Sequence, residues 1–122
     1  MNYLLDSVIL IDHFNAIEPA TDFLAEHGTE CALSTITRAE VLAGFNVEQE
    51  PLARELLDIF PCLPLNAETA DVAARLRRSE RWKLPDAFQA AVAMQHGLTL
   101  VTRNSRDFQP GGEPAVFIPY RL

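Results

Sequence analysis

Cysteine is scarce: Cys31 and Cys62 are the only two in 122 residues. Neither belongs to a Cys-x-x-Cys pair or to a metal-ligand spacing, which excludes a disulfide scaffold and a zinc ribbon. Each lies in an apolar stretch and reads as a small core residue. Positive charge is also short. Ten Lys+Arg face 17 Asp+Glu, for a net charge of −7, and Lys83 is the single lysine. That balance argues against broad electrostatic attraction to nucleic acid. Long apolar runs are missing. The longest, such as Val8–Ile11 and Ala90–Met94, span four or five residues, against the ~20 that a membrane helix needs. The opening Met-Asn-Tyr-Leu-Leu-Asp has no basic segment and carries an acid at Asp6, unlike a secretory signal. The expectation is a cytoplasmic chain with no membrane association. No internal repeat or low-complexity segment is visible.

What is present is the composition of a folded unit. Apolar residues make up 48% and charged residues 22%, enough apolar surface to offset chain entropy. At 122 residues the chain fits a single domain spanning residues 1–122. Tyr3-Leu4-Leu5, Cys31-Ala32-Leu33, Leu98–Val101 and Ala115–Ile118 read as short strands, with Cys62-Leu63-Pro64-Leu65 an edge strand or turn. Between them, apolar spacing predicts helices over Val8–Phe14, Ala20–His27, Ile36–Phe45, Glu48–Ile59, the stretch after Asn66, and Leu84–Met94. Gly28 and Gly97 stand as stops, Ser34, Thr35 and Asn66 as caps, and Pro85 in a first turn. Pro110-Gly111-Gly112 marks a turn. Short strands alternating with helices predict an α/β fold, with a mainly parallel sheet covered on both faces.

Ligand sites in such sheets lie outside the carboxyl ends of the strands. Four acids fall there. Asp6 ends the first strand, Glu40 lies in the helix after the second, Asp86 starts the helix before Leu98–Val101, and Asp107 follows that strand. Each also has a purely structural reading. Asp6 can cap a helix. Glu40 stands three residues after Thr37, as in a capping box. Asp86 and Asp107 sit where a helix dipole favours an acid. Capping does not account for all four at one edge of one sheet. Carboxylates gathered without a cation repel one another, so the simpler reading is an oxygen-ligand site for Mg²⁺ or Mn²⁺. His13, His27 and His96 show no ligand pattern.

Four segments carry a resemblance: Leu4-Leu5-Asp6-Ser7, Thr37 to Gly44, Leu84-Pro85-Asp86-Ala87-Phe88-Gln89-Ala90-Ala91, and Leu100 to Phe108. In this order and spacing they resemble the acidic motifs of PIN-domain nucleases, in particular VapC ribonuclease toxins. The resemblance implies a three-layer α/β/α fold and a Mg²⁺- or Mn²⁺-dependent endoribonuclease that hydrolyses RNA phosphodiesters with a metal-activated water. It implies that Asp6, Glu40 and Asp86 hold the metal. Asp107 is assigned as the fourth acid, although Asn104 occupies an alternative place for it. Ser7 stands where many relatives have Thr, and Thr102 matches a supporting hydroxyl. The resemblance further implies a cognate VapB-like antitoxin; a homodimer is also expected.

Residues 75–83 hold four arginines and the lysine. Arg81 and Lys83 are the candidates there for gripping RNA phosphates, with Arg103 a third; Arg75 and Arg77 read as a solvated helix face. Trp82 suits stacking on a base or packing. The apolar helices at Ile36–Phe45 and Leu52–Phe60 suit an antitoxin groove, a dimer face or simply core. A phosphoacceptor receiver domain is excluded, because the third candidate strand ends at Leu65-Asn66 and the lysine is misplaced. A haloacid-dehalogenase-type phosphatase is excluded by Asp6-Ser7-Val8, where Asp-x-Asp is required. The remaining alternatives are a non-catalytic PIN-like binding protein and a PIN nuclease of RNA processing outside a toxin–antitoxin pair.

Overall fold

The computed structural model describes residues 1–108 and 111–122. The elements run β1 (Tyr3–Leu5), α1 (Ser7–Phe14), α2 (Glu18–His27), β2 (Cys31–Ser34), α3 (Thr35–Ala43), α4 (Glu50–Leu57), β3 (Cys62–Leu63), α5 (Ala67–Glu80), α6 (Leu84–His96), β4 (Thr99–Val101) and β5 (Val116–Phe117). The strands form one sheet in the order β3-β2-β1-β4-β5, and every pairing is parallel. In register, Leu4 faces Ala32 on one side and Leu100 on the other.

Strand side chains alternate between the two faces. Leu5, Leu33 and Val101 pack with Ile9, Leu10, Phe23, Val41 and Leu57, so α1 to α4 cover that face. Leu4, Ala32 and Leu100 pack with Ala90, Val92 and Ala93 of α6, backed by Leu76 of α5. The result is the three-layer α/β/α arrangement expected from the sequence. The alanines of α6 let it lie close to the sheet, and Ala87 and Ala91 meet Ala73 of α5.

Boundaries follow local chemistry. Pro19 and Pro51 occupy first-turn positions, so α2 starts earlier and α4 later than apolar spacing alone places them. Gly28 continues into a short 3₁₀ turn with φ −55° instead of ending α2 in a left-handed turn. Gly97 does end α6 in that way, at φ 62°. Asn66 caps α5 in a capping box with Thr69, whose hydroxyl answers the cap's own N–H. The Cys62 run resolves as a two-residue edge strand, and its position at the sheet edge leaves Cys62 exposed, not in the core as the sequence suggests; Cys31 is buried. Of the expected Pro110-Gly111-Gly112 turn, Pro110 lies outside the described residues, and Gly111 takes φ 92°.

Candidate functional site

The sheet order reverses direction between β1 and β4, so the segments after these strands run to opposite sides and leave a crevice at the carboxyl edge. Asp6 and Thr102 are the first residues beyond the two strands. The Asp6 N–H donates to the Val101 carbonyl at 2.9 Å, which ties them together. The Asp6 carboxylate is buried. One of its oxygens accepts from the Ser7 N–H at 2.8 Å, and the other accepts from the Thr102 hydroxyl at 2.6 Å. Thr102 in turn accepts from the Asn104 N–H at 3.0 Å. Asp6 is therefore both the cap of α1 and a residue of the crevice. Burial pushes its pKa up, while Thr102, Ser7 and Gln89 pull it back.

Glu40 comes from α3. Ser34 caps that helix by accepting from the Thr37 N–H, so Glu40 lies in the second turn and takes no part in a capping box. Loss of water contact raises its carboxyl; the Ser7 hydroxyl opposes this and the Asp6 charge adds to it. Asp86 occupies the first turn of α6. A helix dipole there favours the ionised form, yet its pKa is pushed up to about 6. Burial is the largest cause, followed by the charges of Asp6, Asp107 and Glu40, with Lys83 opposing. Asp86 thus feels all three of the other acids, each carried by a different segment.

Asp107 is exposed, on the turn after β4. Its carboxylate accepts from the Asn104 side-chain amide at 3.0 Å, and its N–H donates back to the Asn104 amide oxygen at 3.2 Å. Asn104 thereby fixes Asp107 and joins it to Thr102. Lys83 caps α6 beside Asp86, and Arg81 ends α5 in the left-handed region at φ 62°; both are exposed. Trp82 is buried, its ring tilted 55° against that of Phe108 with centroids 4.9 Å apart, and its indole N–H donates to the Asp107 carbonyl. Trp82 is thus a packing residue that anchors the far end of the turn.

Gln89 and Asp12 are buried polar groups that the sequence patterns do not single out. Gln89 lies under the crevice on the Asp86 face of α6. It accepts from the Ser34 hydroxyl at 2.8 Å and donates to Thr37, whose own hydroxyl donates to the Leu5 carbonyl at 3.1 Å. Asp12 is buried in α1. It accepts from both Nε and Nη2 of Arg103, at 2.7 and 3.0 Å, and from the Tyr120 hydroxyl at 2.8 Å. The signals were a glutamine among alanines in α6 and an aspartate within Val8–Phe14, each polar at an otherwise apolar helix position.

An open pocket of about 430 Å³ lies against Asp6, lined also by Val8, Arg103, Asn104, Ser105 and Arg106. Among the described residues, no three of the His, Cys, Asp and Glu side chains close into a ready metal cage. The donor chemistry still fits a hard divalent cation. It consists of carboxylates with supporting hydroxyls, mutually repelling and partly desolvated.

Residues 3–110 match the sequence profile of the PIN domain. The chain belongs to the PIN domain family. This PIN domain is similar to a chain of a toxin–antitoxin complex from Klebsiella pneumoniae, at 36% identity and TM-score 0.90, over 99% of this chain and 100% of that one. It also resembles a chain of FitAcB from Neisseria gonorrhoeae, at 26% identity and TM-score 0.80, over 96% and 97% of the two chains. A chain of VapBC2 from Rickettsia felis, bound to a DNA fragment from its promoter, shares the fold at 20% identity and TM-score 0.79, over 100% and 99%. No curated protein sequence gives a significant match. The PIN fold accounts for the parallel sheet order and for the carboxyl-edge crevice where Asp6 and Thr102 meet.

Proposed function

We propose that this PIN domain is a metal-dependent endoribonuclease and the toxin of a VapBC-like type II toxin–antitoxin pair. The observation that carries the reading is the convergence on Asp86, whose carboxyl is raised first by burial and then by the charges of Asp6, Asp107 and Glu40, each from a different segment. Structural ion pairs lower the pKa of carboxyls; a group of unpaired acids in a crevice raises it, at an energetic cost to the fold that function explains. In this reading Asp6, Glu40, Asp86 and Asp107 hold Mg²⁺ or Mn²⁺. Bound there, the cation supplies an activated water and positive charge for the phosphoryl oxygens.

The protein's own groups set the stage. Ser7 and Thr102 fix both Asp6 oxygens, leaving their outer lone pairs for a ligand. Asn104 orients Asp107. Lys83, exposed beside Asp86, and Arg81, exposed at the end of α5, take phosphates of the RNA. Hydrolysis adds water to phosphorus and breaks the P–O bond to the leaving ribose oxygen. Similarity to a toxin–antitoxin complex supports an antitoxin partner, and the half-exposed apolar residues of α3 and α4 offer a homodimer face. No helix among the described residues is long and apolar enough to cross a membrane.

The test is cleavage of total RNA by purified protein with Mg²⁺ or Mn²⁺, with and without chelator. The wild-type chain should cleave only with metal, and Asp86→Asn should lose about 100-fold or more, the scale of removing a principal charge-stabilising group. Equal cleavage by wild type and Asp86→Asn would assign the activity to a contaminant. For the toxin role, growth lost on expressing this chain alone should return on co-expression of the product of a small neighbouring gene.

A further inference from the structure

Four acids around a crevice repel RNA, and the molecule as a whole is anionic, so the approach of a polyanion needs a local cation on the pocket wall. Two arginines line that pocket, Arg103 and Arg106, and the structure treats them differently. The guanidinium of Arg103 is fastened by two hydrogen bonds to buried Asp12, and Tyr120 closes the same carboxylate from the C-terminal tail. Its charge is already matched. Arg106 is exposed and forms no salt bridge among the described residues.

The turn that carries Arg106 is fixed at both ends. At the start, Arg103 is pinned to α1 and the Asn104 N–H donates to Thr102. At the end, Phe108 is buried against Trp82, and its N–H donates to the Asn104 carbonyl at 3.2 Å. Ser105, Arg106 and Asp107 project between these anchors, with Asp107 close enough to act on Asp86. A fixed turn presents a long cation at low entropic cost, and a guanidinium fork suits phosphate oxygens.

We propose that Arg106 binds a phosphate of the RNA next to the one being cleaved, and that Arg103, locked by Asp12 and Tyr120, is a positioning residue that holds the turn presenting it. The assignment rests on the nuclease reading. It deepens that reading by naming which cation of the pocket meets the substrate backbone.

The test uses a fluorescein-labelled oligoribonucleotide, with the full chain carrying Asp86→Asn so that the RNA survives, and anisotropy read across a salt series in MgCl₂. Arg106→Gln should weaken binding about five- to tenfold and reduce the slope of log Kd against log salt by ~0.7, the loss of one single-strand phosphate contact. Arg106→Lys should recover the slope. Arg103→Gln should lower the melting temperature and weaken RNA binding about two- to threefold while leaving the slope in place, because Arg106 still makes its contact but from a looser turn; unchanged affinity would deny Arg103 the positioning role. With Asp86 restored, Arg106→Gln should raise KM for RNA more than it lowers kcat. If the unsubstituted protein neither binds nor cleaves RNA, the nuclease reading fails and the assignment falls with it. If it cleaves, and Arg106→Gln binds with unchanged affinity and slope, the assignment alone is overturned. A slope lost in Arg103→Gln and kept in Arg106→Gln would reverse the roles. Should Arg103→Gln fail to fold, the two Arg106 variants still decide.

Discussion

At the scale of single residues, the acids divide by what surrounds them. Asp86 is held above its ordinary range, at about 6, by burial and by three neighbouring carboxylates. Asp12 is held below its range: burial is the largest influence, and the Arg103 and Tyr120 hydrogen bonds and the Arg103 charge together outweigh it. Their linkage to stability has opposite signs. The folded form of Asp86 keeps its proton to higher pH than the unfolded chain does, so its contribution to stability declines as pH rises from about 4 through 6. Asp12 stabilises above its unfolded pKa, and that contribution fades as pH falls. In metal-free protein, Asp86→Asn should therefore raise the melting temperature at pH 8 by about 3–5 °C, with the gain shrinking toward pH 5. A scan showing the same gain at both pH values would deny that charge repulsion is the cause. Asp12→Asn should cost about 2 kcal/mol in urea unfolding at pH 7, with the partly exposed Arg103 keeping the figure modest. Both acids look alike in the sequence, as an aspartate in or beside an apolar run. The difference lies in long-range partners, since Arg103 and Tyr120 are 91 and 108 residues from Asp12, and no local pattern announces such a pairing.

At the scale of elements, the strands and most helices were legible because apolar spacing and caps act locally. Leu4-Leu5, Ala32-Leu33 and Leu100-Val101 show as short apolar runs, buried on both faces as parallel strands require. Ser34, Asn66 and Gly97 stop or start helices through their own side-chain or backbone chemistry. What the sequence concealed was the reason for Gln89. It joins α6 to Ser34 at the end of β2 and to Thr37 in α3, and this becomes visible only when the layers are stacked. Gln89→Leu should leave the Ser34 and Thr37 hydroxyls short of a partner in the core and cost about 2–3 kcal/mol by urea denaturation. An effect below about 0.5 kcal/mol, the range of an ordinary surface substitution, would mean that the ladder contributes nothing. Asn66→Ala, which removes the α5 cap, should cost about 1 kcal/mol in the same assay.

At the scale of the whole molecule, a chain with net charge −7 gathers four of its acids where two parallel strands part company. A fold that served only to bind a partner would gain stability by neutralising that edge. In the proposed reading a cation binds at this edge and relieves the mutual repulsion of its acids. Mn²⁺ should accordingly raise the melting temperature of the wild-type chain in a concentration-dependent way and leave Asp86→Asn nearly unmoved. The most direct measurement is Mn²⁺ binding itself, followed by titration calorimetry or by loss of the free-ion electron paramagnetic signal, on wild type, Asp6→Asn, Glu40→Gln and Asp86→Asn. Saturable binding is expected of the wild type, with about tenfold or greater weakening in each variant, on the order of 1.4 kcal/mol or more per lost ligand. Saturable binding that survives every substitution, or none to the wild-type chain, would contradict the proposed metal site.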